Sequence, residues 1–202
     1  MKATIGAVAL TAVLSTGALG AGAIAAIPAA GSVPATSATL LSGTVRTQAQ
    51  ALQPWPVLRQ GPNAQWPKVT VRSLQYLLNA RGAKVAVTGT FGAATKTAVV
   101  KFQRAHHLTA NGVVGQSTWR ALIVSVRKGS TGPAVRAVQD QINFRNNRNG
   151  HTLDVDGIFG AKTQAAVRAF QQAMAHEIRG FPVDGIVGPL TWQALVTEAL
   201  SF

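Results

Sequence analysis

Gly157-Ile-Phe-Gly160, with Thr163, Ala166, Val167, Phe170 and Gln171 behind it, stands 68 residues after Gly89-Thr-Phe-Gly92, which carries Thr95, Ala98, Val99, Phe102 and Gln103 in the same register. That constant offset decides the fold, because a duplicated unit constrains architecture more strongly than local propensity does. Upstream, Val57-Leu-Arg-Gln-Gly61 returns as Ser125-Val-Arg-Lys-Gly129, and Val71-Arg-Ser-Leu-Gln75 as Val135-Arg-Ala-Val-Gln139. Downstream, Asn111-Gly-Val-Val-Gly115 with Thr118-Trp-Arg-Ala-Leu122 returns as Asp184-Gly-Ile-Val-Gly188 with Thr191-Trp-Gln-Ala-Leu195. The order is kept throughout. Repeat 1 has four extra residues between Gly61 and Val71; repeat 2 has four between Gln139 and Gly157 and five between Gln171 and Asp184. Insertions of this kind mark loops.

The apolar spacing inside each copy is helical. Val71, Leu74 and Leu78, like Val135, Val138 and Ile142, fall at i, i+3 and i+7 and predict a first helix. Thr95, Ala98, Val99 and Phe102, with their counterparts from Thr163 to Phe170, predict a second. Trp119 with Leu122, and Trp192 with Leu195, lie one turn apart in a short third. Pro133 suits the first position of a helix, and Gly82 can close one in the left-handed conformation. Asp156-Gly157 and Asp184-Gly185 have tight-turn chemistry, which Thr88-Gly89 and Asn111-Gly112 keep without the carboxylate. The expectation is an all-α chain: two tandem three-helix domains, over residues 55–124 and 125–202.

Ahead of them, Lys2 is followed by an uncharged stretch rich in Ala, Val, Leu and Gly, the layout of a secretory signal peptide. Small residues at Ala21, Ala23 and Ala25 suit cleavage, so a leader is expected over residues 1–25. A retained membrane helix is the competing reading of the same run, but Gly17, Gly20, Gly22 and Pro28 interrupt it. Residues 26–54, rich in Ser, Thr, Ala, Gly and Gln without period, are expected to be a flexible linker.

The 202-residue chain carries a formal charge of +13, from 19 Lys and Arg against 6 Asp and Glu. The excess is local: ten basic residues and no acid lie between Arg46 and Arg120, whereas all six acids follow Arg127. No cysteine is present, which excludes disulfides, thiolate metal sites and a cysteine nucleophile. Catalysis needs positioned acids, bases, nucleophiles or a metal. His106, His107, His151 and His176 form no metal-binding motif, and His151 with Asp154 lacks a third ligand. Asp154 and Asp156 share one loop, where Asp156 is better used in its turn than as half of a glycosidase pair. Neither a catalytic group, nor a metal site, nor a cofactor is expected. Phe102, Phe170, Trp119 and Trp192 fit the apolar stripes and read as core, and Gln103 and Gln171 as groups that satisfy loop backbone.

The ordered blocks of repeat 2, from Arg127-x-Gly129 through Asp156-Gly-Ile-Phe-Gly160 to Asp184-Gly-Ile-Val-Gly-Pro-x-Thr-Trp192, resemble the three-helix peptidoglycan-binding domain of bacterial wall hydrolases. Repeat 1 resembles it too, departing at Thr88, Asn111 and Gln116. The resemblance covers residues 55–202 and implies an exported module that binds the cell wall. In that family the domain usually accompanies an amidase, lytic glycosidase or peptidase; leader, linker and two repeats leave no room for one in these 202 residues. The expected protein is therefore a secreted, non-catalytic peptidoglycan binder of the cell wall, free of the membrane after leader cleavage. The alternatives are a wall hydrolase and an accessory factor that recruits one. Candidate ligand contacts are Trp55 and Trp66, which lie beside prolines outside the helices and suit packing over the first helix equally well, and the basic residues Arg72, Arg81, Lys84, Lys96, Lys101 and Arg104. The partners expected are peptidoglycan and the anionic polymers of the wall, with a separate hydrolase as a further candidate. Scattered charges without a recognised motif argue against nucleic acid.

Overall fold

The computed structural model describes residues 52–63, 65–146 and 153–197. The expected leader, the expected linker up to residue 51, and His151 lie outside them. Six helices follow in order: α1 (Lys68–Ala80), α2 (Ala93–Ala105), α3 (Gln116–Leu122), α4 (Pro133–Arg145), α5 (Ala161–Glu177) and α6 (Pro189–Val196). They form two sets of three, as the duplicated spacing predicts. Among the described residues, extended structure is limited to single bridges, Leu58 to Val114 and Gly61 to Phe91 in repeat 1, Val126 to Val187 and Thr131 to Ile158 in repeat 2. The residues ahead of each first helix are thereby stitched to the loops that precede the second and third.

Local signals act where the sequence places them. Pro133 opens α4. Gly82, at φ +88°, closes α1: its N–H bonds the Asn79 carbonyl and the Ala83 N–H bonds that of Leu78, the paired bonds of a Schellman end. His107 does the same for α2 at φ +54°, with bonds from His107 to Arg104 and from Leu108 to Gln103.

The core is built from the helical stripes. Leu74, Leu78, Val99, Trp119 and Leu122 are fully buried in repeat 1, and Val138, Ile142, Val167, Trp192 and Leu195 in repeat 2. Each indole also bonds the chain that enters its repeat, Trp119 Nε1 donating to the Pro56 carbonyl and Trp192 Nε1 to that of Val124, both at 2.8 Å.

A finer repeat lies inside the larger one. Gln75, Gln103, Gln139 and Gln171 each end a Val-x-x-apolar-Gln run and each reach into the following turn. Their Oε1 atoms accept the N–H of Gly89, Gly112, Gly157 and Gly185 at 2.7–2.9 Å. Their Nε2 atoms donate to the carbonyls of Thr90, Val113, Ile158 and Ile186, and to the hydroxyls of Thr95, Thr118, Thr163 and Thr191. These four glycines all sit at φ between +72° and +79°, where a side chain is strained. Each domain is thus two helix–turn units clamped alike.

Repeat 2 differs by placing carboxylates in its clamps. Asp156 accepts the N–H of Ile158 and the Gln139 amide, both at 2.8 Å, and these bonds hold its carboxyl below the usual carboxylate range. A depressed folded pKa stabilises the fold above the unfolded value of 3.8 and loses that contribution as pH falls through the folded value. Acid titration followed by far-ultraviolet dichroism should therefore show an unfolding limb below about pH 4, shallower in Asp156→Thr, which copies the clamp of repeat 1.

Both repeats belong to one compact unit, because α1 packs on α4. Arg72 makes a bidentate pair with Asp140, at 2.6 and 2.8 Å, and Gln141 Nε2 donates to Ser73 Oγ at 2.9 Å. Position 72 corresponds to 136 and 76 to 140, and Tyr76 in turn feels the charge of Arg136. The two first helices therefore meet as equivalent surfaces, in the manner of a two-fold dimer interface within one chain. The partly buried pair, with side chains 32% and 15% exposed, contributes about 1 kcal/mol or less to that contact.

Candidate functional site

Two of the expected ligand contacts are structural. Trp55 is buried, its ring stacked on Trp119 with centroids 6.0 Å apart. Arg72 is engaged by Asp140 in the contact between repeats. Arg81 combines two roles: it donates to the carbonyls of Ala121, Leu122 and Ile123 at 2.8–3.1 Å, capping the end of α3, while its side chain stays at the surface. Arg145 does the equivalent for α6 through Ala194 and Leu195, but buried, with its guanidinium 5.4 Å from the centre of the Phe170 ring.

The remaining basic candidates converge. A groove of about 720 Å³ runs between the loop that leaves α1 and one face of α2. Arg81 and Lys84 stand on the first wall and Lys101 and His106 on the second, with Val85 and Ala98 contributing apolar surface over the buried Leu78 and Phe102. A shallower groove of about 410 Å³ continues along α2 between Lys96, Lys101 and Arg104, sharing Thr97 and Lys101 with the first. Lys84, Lys96, Lys101 and Arg104 are all exposed, and no acidic residue occurs in repeat 1 to neutralise them. Trp66, half-buried, lines a separate groove of about 380 Å³ with Pro62, Pro67 and Phe91. Lys68 lines the same groove, which shares no residue with the grooves along α2.

His106 is the member of the main groove that sequence reasoning did not select. It lies four residues after Phe102 on the same helix face, its ring 4.1 Å from that of Phe102 between centroids. The i, i+4 spacing was the available signal.

Repeat 2 does not reproduce the groove chemically. At the positions of Lys96, Lys101, Arg104 and His106 it carries Gln164, Ala169, Gln172 and Met174. It exposes instead Ile158, Val183 and Leu190, where repeat 1 has Thr90, Ala110 and Ser117. Among the described residues, no group of three or more His, Asp or Glu is placed to hold a metal ion, and no helix is long and apolar enough to cross a membrane.

Duplicated three-helix units with open grooves on exposed helix faces define a binding module of repeated design. The chain belongs to the family described as "Putative peptidoglycan binding domain", whose pattern matches it twice, over residues 68–122 and 131–195. An uncharacterized protein from the bpoA1 3' region of Kitasatospora aureofaciens is 46% identical over 65 residues, 32% of this chain and 49% of that protein. A zinc D-Ala-D-Ala carboxypeptidase of Streptomyces albus G is 37% identical over 81 residues, 40% of this chain and 28% of the enzyme. The chain spans less than half the length of each of these relatives.

Proposed function

We propose that this protein is an exported, non-catalytic peptidoglycan binder that acts in the cell wall through both repeats. Family membership supports peptidoglycan as the ligand. The single observation that carries the reading further is the uncompensated cationic surface of repeat 1, gathered into grooves rather than scattered. A wall that presents stem-peptide carboxylates is its electrostatic complement. Packing of α1 on α4 fixes the spacing of the two repeats, so on a repeating polymer the second contact forms at high effective concentration.

Co-sedimentation of the protein with purified peptidoglycan tests this. Binding should weaken steeply between about 0.1 and 1 M salt, as the screening length falls from about 10 to 3 Å. Binding that ignores salt would remove the electrostatic part of the reading. The alternative of a wall hydrolase draws on the carboxypeptidase relative. Zymography on embedded peptidoglycan separates the two, since a cleared band would establish hydrolysis. Recovery of a hydrolase with the protein from culture supernatant would support the accessory reading.

A further inference from the structure

Resting on that reading, we infer that the groove between the end of α1 and α2 is a site for a phosphodiester-linked anionic wall polymer, and that repeat 1 alone carries it. The cations occur as a track. Lys84 and Arg81 face Lys101 across the main groove, and Lys96, Lys101 and Arg104 continue along α2. With a rise of about 1.5 Å per residue, the last three are spread over about 12 Å of helix, so the surface meets several negative charges in sequence rather than one. A single carboxylate uses one end of such a track; a chain of phosphodiesters uses its length. The cations are mostly lysines, compact point charges that suit phosphates without demanding a planar bidentate partner.

The groove's apolar surface narrows the ligand further. Val85 and Ala98, both half-buried, accept the carbon backbone of a polyol or sugar between its phosphates. Nucleic acid also offers phosphodiesters, but single strands are held by stacking bases on exposed aromatic faces, and Phe102 is buried here. At the positions of Lys96, Lys101, Arg104 and His106, α5 carries neutral residues, so repeat 2 lacks the track.

The test uses the full folded protein with three probes: walls that retain their phosphodiester polymer, the same walls stripped of it, and the released polymer alone. The variants are Lys84→Gln with Lys101→Gln in the groove, and Lys128→Gln with Lys162→Gln in repeat 2, which removes the same charge elsewhere. All four lysines are exposed, and unchanged melting confirms intact folding. The expected result is about a tenfold or greater loss of affinity for the released polymer in the groove variant, with a salt slope smaller by about two, and little change in the repeat 2 variant. On stripped walls, where only stem-peptide carboxylates meet the groove, the groove variant should lose less than about threefold. Equal losses in both variants, or no binding of released polymer by wild type, would overturn the proposal. A loss on stripped walls as large as that on the released polymer would overturn it in favour of direct glycan or peptide contact. Failure of wild type to bind stripped walls, with polymer binding intact, would defeat the peptidoglycan reading and leave the polymer site standing.

Discussion

Trp119→Ala should unfold the protein at a temperature about 10–15 °C lower than wild type, the largest loss expected from any single truncation in repeat 1. The indole is fully buried. Removing an aromatic side chain from such a site costs about 3–5 kcal/mol, from lost transfer energy and the cavity left behind. The bond to the Pro56 carbonyl adds about 1 kcal/mol, and its loss also frees the segment that enters the repeat. Trp55 loses its stacking partner in the same step, so one substitution detaches the residues ahead of α1 from the third helix. Because α1 packs on α4, the damage should spread: a single cooperative transition, shifted as a whole, is expected by calorimetry. Two separate transitions, with only one displaced, would show that the repeats unfold independently. Trp119→Phe should recover most of the packing but not the bond, placing it between wild type and the alanine variant.

Much of this fold is legible in the sequence for a simple reason. The helices bury narrow stripes at 3.6-residue spacing, and each stripe is written twice, so that Val71, Leu74 and Leu78 are checked by Val135, Val138 and Ile142. The same logic assigns Phe102, Trp119 and their counterparts to the core, where they lie. The fourfold clamp is also written in the chain, as Val-x-x-apolar-Gln followed by Gly-x-apolar-Gly-x-x-Thr. It is harder to see because the separation from glutamine to turn varies between 8 and 17 residues. A hydrogen bond from a side chain to a distant loop has no period, and only the three-dimensional path brings the two together.

The candidate surface was less legible, and Arg72, Arg81 and Trp55 show why. A basic residue counts as surface in composition, but whether it faces solvent, an acid of the other repeat or a row of helix-end carbonyls depends on tertiary packing. Arg72 finds Asp140 only because the first helices of the two repeats pack together, and nothing in the local sequence of either helix announces that contact. Lys84 and Lys101 belong to different elements and meet across one groove through the turn at Gly82. The charge asymmetry between repeats needed no structure at all, and the groove gathers that asymmetry into one candidate surface.

Gln139→Glu, a change of one amide nitrogen to oxygen, should be strongly destabilising, and its effect should depend on pH. The amide of Gln139 accepts from Gly157 and donates to Asp156, to the Ile158 carbonyl and to the Thr163 hydroxyl. A carboxylate keeps the first bond and loses the donors, leaving the buried Thr163 end of the clamp without its donor at a cost of about 1–3 kcal/mol. It also stands against the Asp156 carboxylate, a like charge at hydrogen-bond distance. Two carboxylates so placed take up one proton above their ordinary range, and the proton restores a donor between them. The sign follows: the penalty is greatest at neutral pH and shrinks as pH falls toward about 5, before the acid limb of wild type begins. Gln75→Glu makes the matching change in repeat 1, where Thr88 stands in place of the acid. It should lose the donors alone, with a penalty nearly level over the same range. Thermal melts of both variants from pH 4.5 to about 7.5 measure the difference. Parallel curves would mean that Asp156 leaves its clamp when challenged, and that the turn, not the carboxylate, holds repeat 2 together at this point.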